Sequence, residues 1–126
     1  RLIRQYDWLY GAVGSHPDAA DEVNEEVLEV YRRLCADNPK IKAIGEIGLD
    51  YHYEDIPRDL QKAAFRAQMA LAQELRLPVI VHERDAHGDA LAVLDESRVC
   101  FTAIPARRRW QRNWFAGAGT SALPGC

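Results

Sequence analysis

The feature that most constrains this chain is a pair of apolar runs, each ending in a side chain able to bind metal. The first, AIGEIGLDYHY over residues 43–53, carries Glu46, bends at Gly48 and reaches a second carboxylate, Asp50. The second, LPVIVH over residues 77–82, ends in His82. Short continuous apolar runs suit strands buried on both faces. A carboxylate and an imidazole at strand ends are the kind of ligands a (β/α) barrel gathers at the carboxyl edge of its sheet.

The pattern between and around these runs is helical. Residues 8–13 read as a short buried strand, followed by Gly14 and a Ser15-His16-Pro17-Asp18 turn. Val23, Val27, Val30, Tyr31 and Leu34 recur at intervals of three and four, which predicts an amphipathic helix. Asp18 or Asp21 suits its N-cap, and Asn38-Pro39 stops it. After the strand at residues 41–47, Ile56-Pro57 opens a long helix. Its stripe is Leu60, Ala64, Ala67, Leu71 and Leu75, and Pro78 closes it. Residues 78–82 form the third strand. Residues 86–94 form a third helix, with Asp85 suited to cap it and Ala90, Leu91 and Leu94 inward. Strand followed by helix, three times over, predicts a parallel sheet with right-handed crossovers.

Composition narrows the class. The chain has 126 residues, 48% of them hydrophobic and 28% charged, within the range of one soluble globular domain. No apolar stretch approaches the roughly 20 residues that cross a bilayer, so no membrane partner is expected. Cys35, Cys100 and Cys126 are odd in number and widely spaced, with no C-x-x-C pair. This argues against a disulfide framework or a cysteine zinc site and fits a reducing, cytoplasmic setting. The net charge of −3 conceals an asymmetry: no acid follows Glu96, but Arg98, Arg107, Arg108, Arg109 and Arg112 do, leaving −8 on residues 1–96. The join near residues 97–100 is therefore read as a boundary between a globular part, 1–96, and an irregular Arg/Trp-rich tail, 97–126.

Taken in order, Gly14-x-His16-Pro17, AIGEIGLDYHY, Gln61-x-x-x-Phe65-x-x-Gln68-x-x-x-Ala72 and LPVIVHERDAHGDAL resemble the TatD family of metal-dependent hydrolases over residues 8–95. That resemblance implies a TIM-type (β/α)8 barrel, one or two divalent ions such as Zn, Mn or Mg, and phosphodiester hydrolysis of DNA in the manner of a 3'-5' exonuclease. It implies that Glu46 and His82 are metal ligands. A divalent ion so held lowers the pKa of bound water and neutralises charge developing on a phosphoryl oxygen. The family's opening His-x-His strand has no counterpart before Trp8, and its His-Cys-Phe/Tyr-Ser-Gly motif and late Asp are absent. The expectation is a partial barrel of about three βα units, an incomplete form with weak or no activity, whose exposed edges invite self-association. No general base is assignable.

The tail admits a further reading. The bases encoding residues 99–107 can be chosen so that the frame one base earlier reads Val-Phe-His-Cys-Tyr-Ser-Gly-Ser. The family's missing motif is then compatible with a frame shift near Val99, which the encoding DNA decides.

Other residues carry alternatives. His16, in the loop after the first strand, would face the same rim and touch a phosphate, or would bond backbone in its turn. Arg84 would contact substrate. Asp85 orients a ligand or caps the third helix, and Asp50 is read as a structural turn residue or cap. His52 and His87 are read as exposed loop and helix residues. The Arg107-Arg108-Arg109-Trp110 run also admits a nucleic-acid contact. For the whole chain, the rivals are a non-catalytic remnant and a metal-dependent hydrolase acting on a substrate other than nucleic acid.

Overall fold

The computed structural model describes residue 3, residues 5–53, residues 55–97 and the backbone of residues 101–103. Among these, four strands form one parallel sheet in the order β1 (Gly11–Val13), β2 (Ile41–Asp50), β3 (Val79–Arg84) and β4 (Phe101–Ala103). Helices α1 (Glu25–Asp37), α2 (Arg58–Leu75) and α3 (His87–Ser97) make the crossovers. Strands that follow their sequence order around a parallel sheet make the arc of a barrel, not an open doubly wound sheet.

The core lies between this sheet and its helices. Ile44, Ile47, Leu49 and Val79 pack with Phe65, Met69 and Ala72 of α2 and with Val93 of α3. Along β3 burial alternates: Val79 and Val81 are buried and Ile80 and His82 are half-buried. The period of two therefore turns His82 away from the helices. Deep burial of β2 and α2 makes their contact the centre of the fold.

Several element boundaries differ from the sequence expectation. β1 is only Gly11–Val13, and Trp8 and Tyr10 are exposed, not buried. A 3-10 turn, Pro17–Glu22, precedes α1, whose N-cap is Asn24, not Asp18 or Asp21; the Asn24 side chain accepts from the Val27 N–H at 3.0 Å. Only Leu28 of α1 is buried, while Val30 and Leu34 are exposed. The periodic valines thus overstate how far α1 sinks into the core. In α2 the expected stripe holds at Ala64 and Leu71, with Ala67 and Leu75 partly buried, but Leu60 is exposed and Gln61, Phe65, Gln68 and Met69 are buried as well. Asp85 does not cap α3. It sits at φ 55° and bonds His52, and the Ala86 N–H is taken by Glu83 at 2.7 Å.

Of the segment expected as an irregular tail, Phe101–Ala103 adds a fourth strand, with Val79 opposite Phe101 and Val81 opposite Ala103. The rest of that segment, including Arg107, Arg108, Arg109 and Trp110, lies outside the described residues, as does most of the stretch on which the frame-shift reading rests.

Candidate metal centre

The centre is built at the carboxyl ends of β1, β2 and β3. The β2–β3 register runs Ile44 to Val79, then Ile47 to Val81 and Gly48 to His82. Three steps on β2 thus match two on β3, so one extra residue bulges from β2 at Gly45-Glu46. Bulges re-aim side chains, and this one turns the Glu46 carboxylate onto the open face beside His82. The distance from Glu46 Oε1 to His82 Nδ1 is 3.3 Å. Gly48 follows at φ 144°, and a Cβ there would collide with the His82 carbonyl oxygen. Only glycine lets β2 approach β3 this closely.

His16 arrives from the loop after β1. Its Nδ1 lies 2.8 Å from Asp18 Oδ1, and its ring packs edge-on against His82 with centroids 4.3 Å apart. The Asp18 N–H also approaches Nδ1, at 3.5 Å. The much shorter carboxylate contact decides the tautomer: Nδ1 carries a proton for Asp18, which leaves the Nε2 lone pair available.

His16, Glu46 and His82 offer one donor atom each, all within 4.8 Å of one another. An ion bound at about 2.1 Å from imidazole and carboxylate donors spaces them roughly 3–4 Å apart, within reach of small side-chain adjustments. The donor chemistry fits as well. Asp50 is buried, and its Oδ2 lies 2.9 Å from His82 Nε2 while Oδ1 accepts the His52 N–H at 3.0 Å. Burial alone would raise the Asp50 carboxyl, but the His82 and His52 hydrogen bonds and the nearby charges of His82 and Arg84 hold it below its usual value. The ionised carboxylate only accepts, so His82 Nε2 carries the proton. On a neutral ring, Nδ1 then points a lone pair at the Glu46 carboxylate. Two lone pairs facing at 3.3 Å repel unless a proton or a cation lies between them.

Two buried glutamines of α2 hold the loops that deliver these groups. Gln68 accepts from the Ser15 N–H at 2.7 Å and donates to the Ser15 carbonyl at 3.1 Å, fixing the residue before His16. Gln61 accepts from the Asp50 N–H at 2.9 Å and donates to the carbonyls of Asp50 and Ile56. Both side chains replace backbone partners that the sheet no longer provides.

The structure therefore brings together Glu46 and His82, expected as ligands, with His16, expected on the substrate side. Arg84 is exposed one residue beyond Glu83, its guanidinium 5.2 Å above the Tyr53 ring. Asp50, read as a turn residue, does make that turn through the His52 N–H, and its other oxygen is in addition the partner of His82. His52 and His87 are exposed, and His52 Nδ1 lies 3.2 Å from Asp85. Sequence reasoning passed over Gln61 and Gln68 as mechanical parts of the site. Their seven-residue spacing, which puts both on one face of α2, was the available signal.

A sequence profile described as "TatD related DNase" matches residues 1–107. The chain belongs to the TatD family. Relatives agree on this: the Bacillus subtilis (strain 168) protein named "Uncharacterized metal-dependent hydrolase YabD" is 41% identical over 94% of this chain and 50% of its own length. The Erwinia tasmaniensis protein named "3'-5' ssDNA/RNA exonuclease TatD" is 43% identical over 74% of this chain and 36% of its own. The crystal structure of YJJV, a TatD homolog from Escherichia coli K12, superposes with a TM-score of 0.69 at 33% identity, over 76% of this chain and 38% of that one. The TatD-family chain thus spans half or less of the relatives it matches. Its strand arc is the corresponding part of a TIM-type barrel.

Proposed function

We propose that His16, Glu46 and His82 hold a divalent metal ion, and that the protein hydrolyses phosphodiester bonds of single-stranded nucleic acid from its 3' end. The observation that carries this reading is the convergence of three donor atoms within 4.8 Å of one another, with His82 Nδ1 3.3 Å from the Glu46 carboxylate. The names of the Erwinia and Bacillus relatives support the reaction class.

When bound, such an ion supplies a hydroxide source near neutral pH and charge neutralisation on a phosphoryl oxygen. This chain's own residues do the rest. Asp50 holds the Nε2 proton of His82, so that ring presents Nδ1 and not Nε2. Asp18 does the same for His16 in the opposite sense, fixing Nδ1–H and presenting Nε2. The Glu46 carboxylate, half exposed on the open face, adds the negative charge that selects a cation over an anion. Imidazole with carboxylate suits Zn²⁺ or Mn²⁺ more than Mg²⁺.

No helix of the described residues is long and apolar enough to cross a membrane, and we place the protein in the cytoplasm on its cysteine usage. The open edges of β1 and β4 are proposed to pair with further polypeptide.

Calorimetric titration of Mn²⁺ and Zn²⁺ tests the centre. One ion per chain is expected, with binding lost in Glu46→Gln and His82→Ala and weakened in His16→Ala. Equal affinity in all three variants overturns the assignment. Release of nucleotides from a 5'-labelled single strand, against a duplex control, tests the reaction.

A further inference from the structure

Beside the metal centre, the loop after β2 builds a feature that the chemistry above leaves unused. Tyr51 and Tyr53 leave the sheet directly after Asp50. With Ile56, Pro57, Arg58 and Gln61 they line a cavity of about 190 Å³. Pockets for drug-sized ligands run from roughly 300 to 1,000 Å³, so this one has room for a single planar ring system and not for a whole nucleotide.

The walls are of two kinds. Tyr51, Ile56 and Pro57 are apolar surfaces, and Tyr53 is a large aromatic left 61% exposed on the rim. The Arg58 guanidinium sits 4.4 Å above the Tyr51 ring, and that of Arg84 sits 5.2 Å above the Tyr53 ring. The rings are held before any ligand comes. The Tyr51 hydroxyl donates to Asp89 at 2.6 Å, and its N–H bonds the Arg84 carbonyl at 2.9 Å. The His52 ring meets Tyr53 edge-on at 4.7 Å. A fixed aromatic face flanked by guanidinium groups is the combination that binds single-stranded nucleic acid, with bases on the rings and phosphates on the arginines.

The position matters as much as the composition. Tyr51 follows Asp50, whose Oδ2 lies 2.9 Å from His82 Nε2, and Arg84, over the Tyr53 ring, is two residues beyond His82. We infer that Tyr53, Tyr51 and the cavity between them receive the nucleobase next to the scissile phosphate, with Arg84 and Arg58 on the adjoining backbone. This subsite rests on the nucleic-acid reading above and adds to it a reason for recognising unpaired strands. A base in a duplex is stacked and paired, and cannot enter.

The test is anisotropy binding of two hydrolysis-resistant phosphorothioate single strands, one with a natural 3' base and one abasic at that position. Wild type is expected to bind the natural strand more tightly. Tyr53→Ala should weaken binding of the natural strand about 5- to 150-fold and leave the abasic strand unchanged, and Tyr53→Phe should bind as wild type does. Arg84→Ala should weaken both strands alike and lower the salt slope by about 1. Equal affinity of wild type for both strands, or an equal loss on both in Tyr53→Ala, overturns the ledge while leaving the nuclease reading intact. Failure of wild type to bind either strand overturns both.

Discussion

The position of two protons determines what the centre can bind. Asp50 is buried, ionised and 2.9 Å from His82 Nε2, so it sets which nitrogen of His82 faces Glu46. Asp50→Asn keeps the shape but lets the amide present either an acceptor or a donor to that nitrogen. Metal affinity is expected to fall about 10- to 100-fold, the usual cost of losing a histidine's outer partner, with a modest fall in melting temperature because the ionised, hydrogen-bonded carboxylate also contributes stability; Mn²⁺ titration and calorimetric melting read the two separately. Gly48 acts through the backbone. A methyl group there collides with the His82 carbonyl at a φ of 144°, so Gly48→Ala forces β2 and β3 apart. A loss of about 1–3 kcal/mol is expected, read as a lower urea midpoint, together with loss of metal binding. Asp50→Asn should cost less stability than Gly48→Ala, and that contrast separates orientation from architecture.

Among the elements, α2 does most to connect fold and site. Its Gln61 satisfies both backbone groups of Asp50, so Gln61→Leu leaves two buried polar groups unpaired at about 1–3 kcal/mol each. A fall in urea midpoint larger than for an exposed substitution such as Gln73→Leu checks this. The link from β2 to α3 is pH-dependent. The Tyr51 hydrogen bond holds Asp89 below its usual value, and burial followed by that same bond pushes Tyr51 above its own. A lowered acid contributes stability that is present above about pH 4 and lost as pH falls. A raised phenol contributes stability that is present below about pH 10 and lost as pH rises. Tyr51→Phe should therefore be less stable than wild type between these limits and converge on it beyond either, as followed by urea midpoints across pH. The elements differ in how legible they were. β2, β3 and α2 announce themselves because continuous apolar runs and proline boundaries coincide there, and Glu46 and His82 lie in the carboxyl halves of the strands that the pattern locates. Gln61 and Gln68 stood in the family-like motif, but their clamping role was hidden because apolar periodicity says nothing of polar residues on the buried face. The role of Asp50 was hidden because the bulge at Gly45-Glu46 sets the facing of everything after it, and bulges leave no periodic trace. β4 was masked by the compositional jump after Glu96.

At the scale of the whole molecule, the sheet of the described residues is an arc with two open edges. β1 pairs only with β2, and β4 only with β3. Parallel strands are normally covered on both faces and both sides, and exposed strand edges are templates for pairing with another chain. Near the β1 edge, Tyr6, Trp8 and Tyr10 are exposed, with Trp8 at 74% and its ring 5.7 Å from that of Tyr6. This aromatic cluster lies before β1, on the side away from the metal centre, so association there would leave the centre open. The chain as given should therefore self-associate, with a sedimentation coefficient that rises with concentration. Trp8→Lys together with Tyr10→Lys should suppress the rise by placing charge on the edge, and Mn²⁺ binding should be unaffected. If the double variant sediments as wild type does, the aromatic edge is not the contact. If it also loses metal, the β1 edge and the centre are coupled through the loop that carries His16.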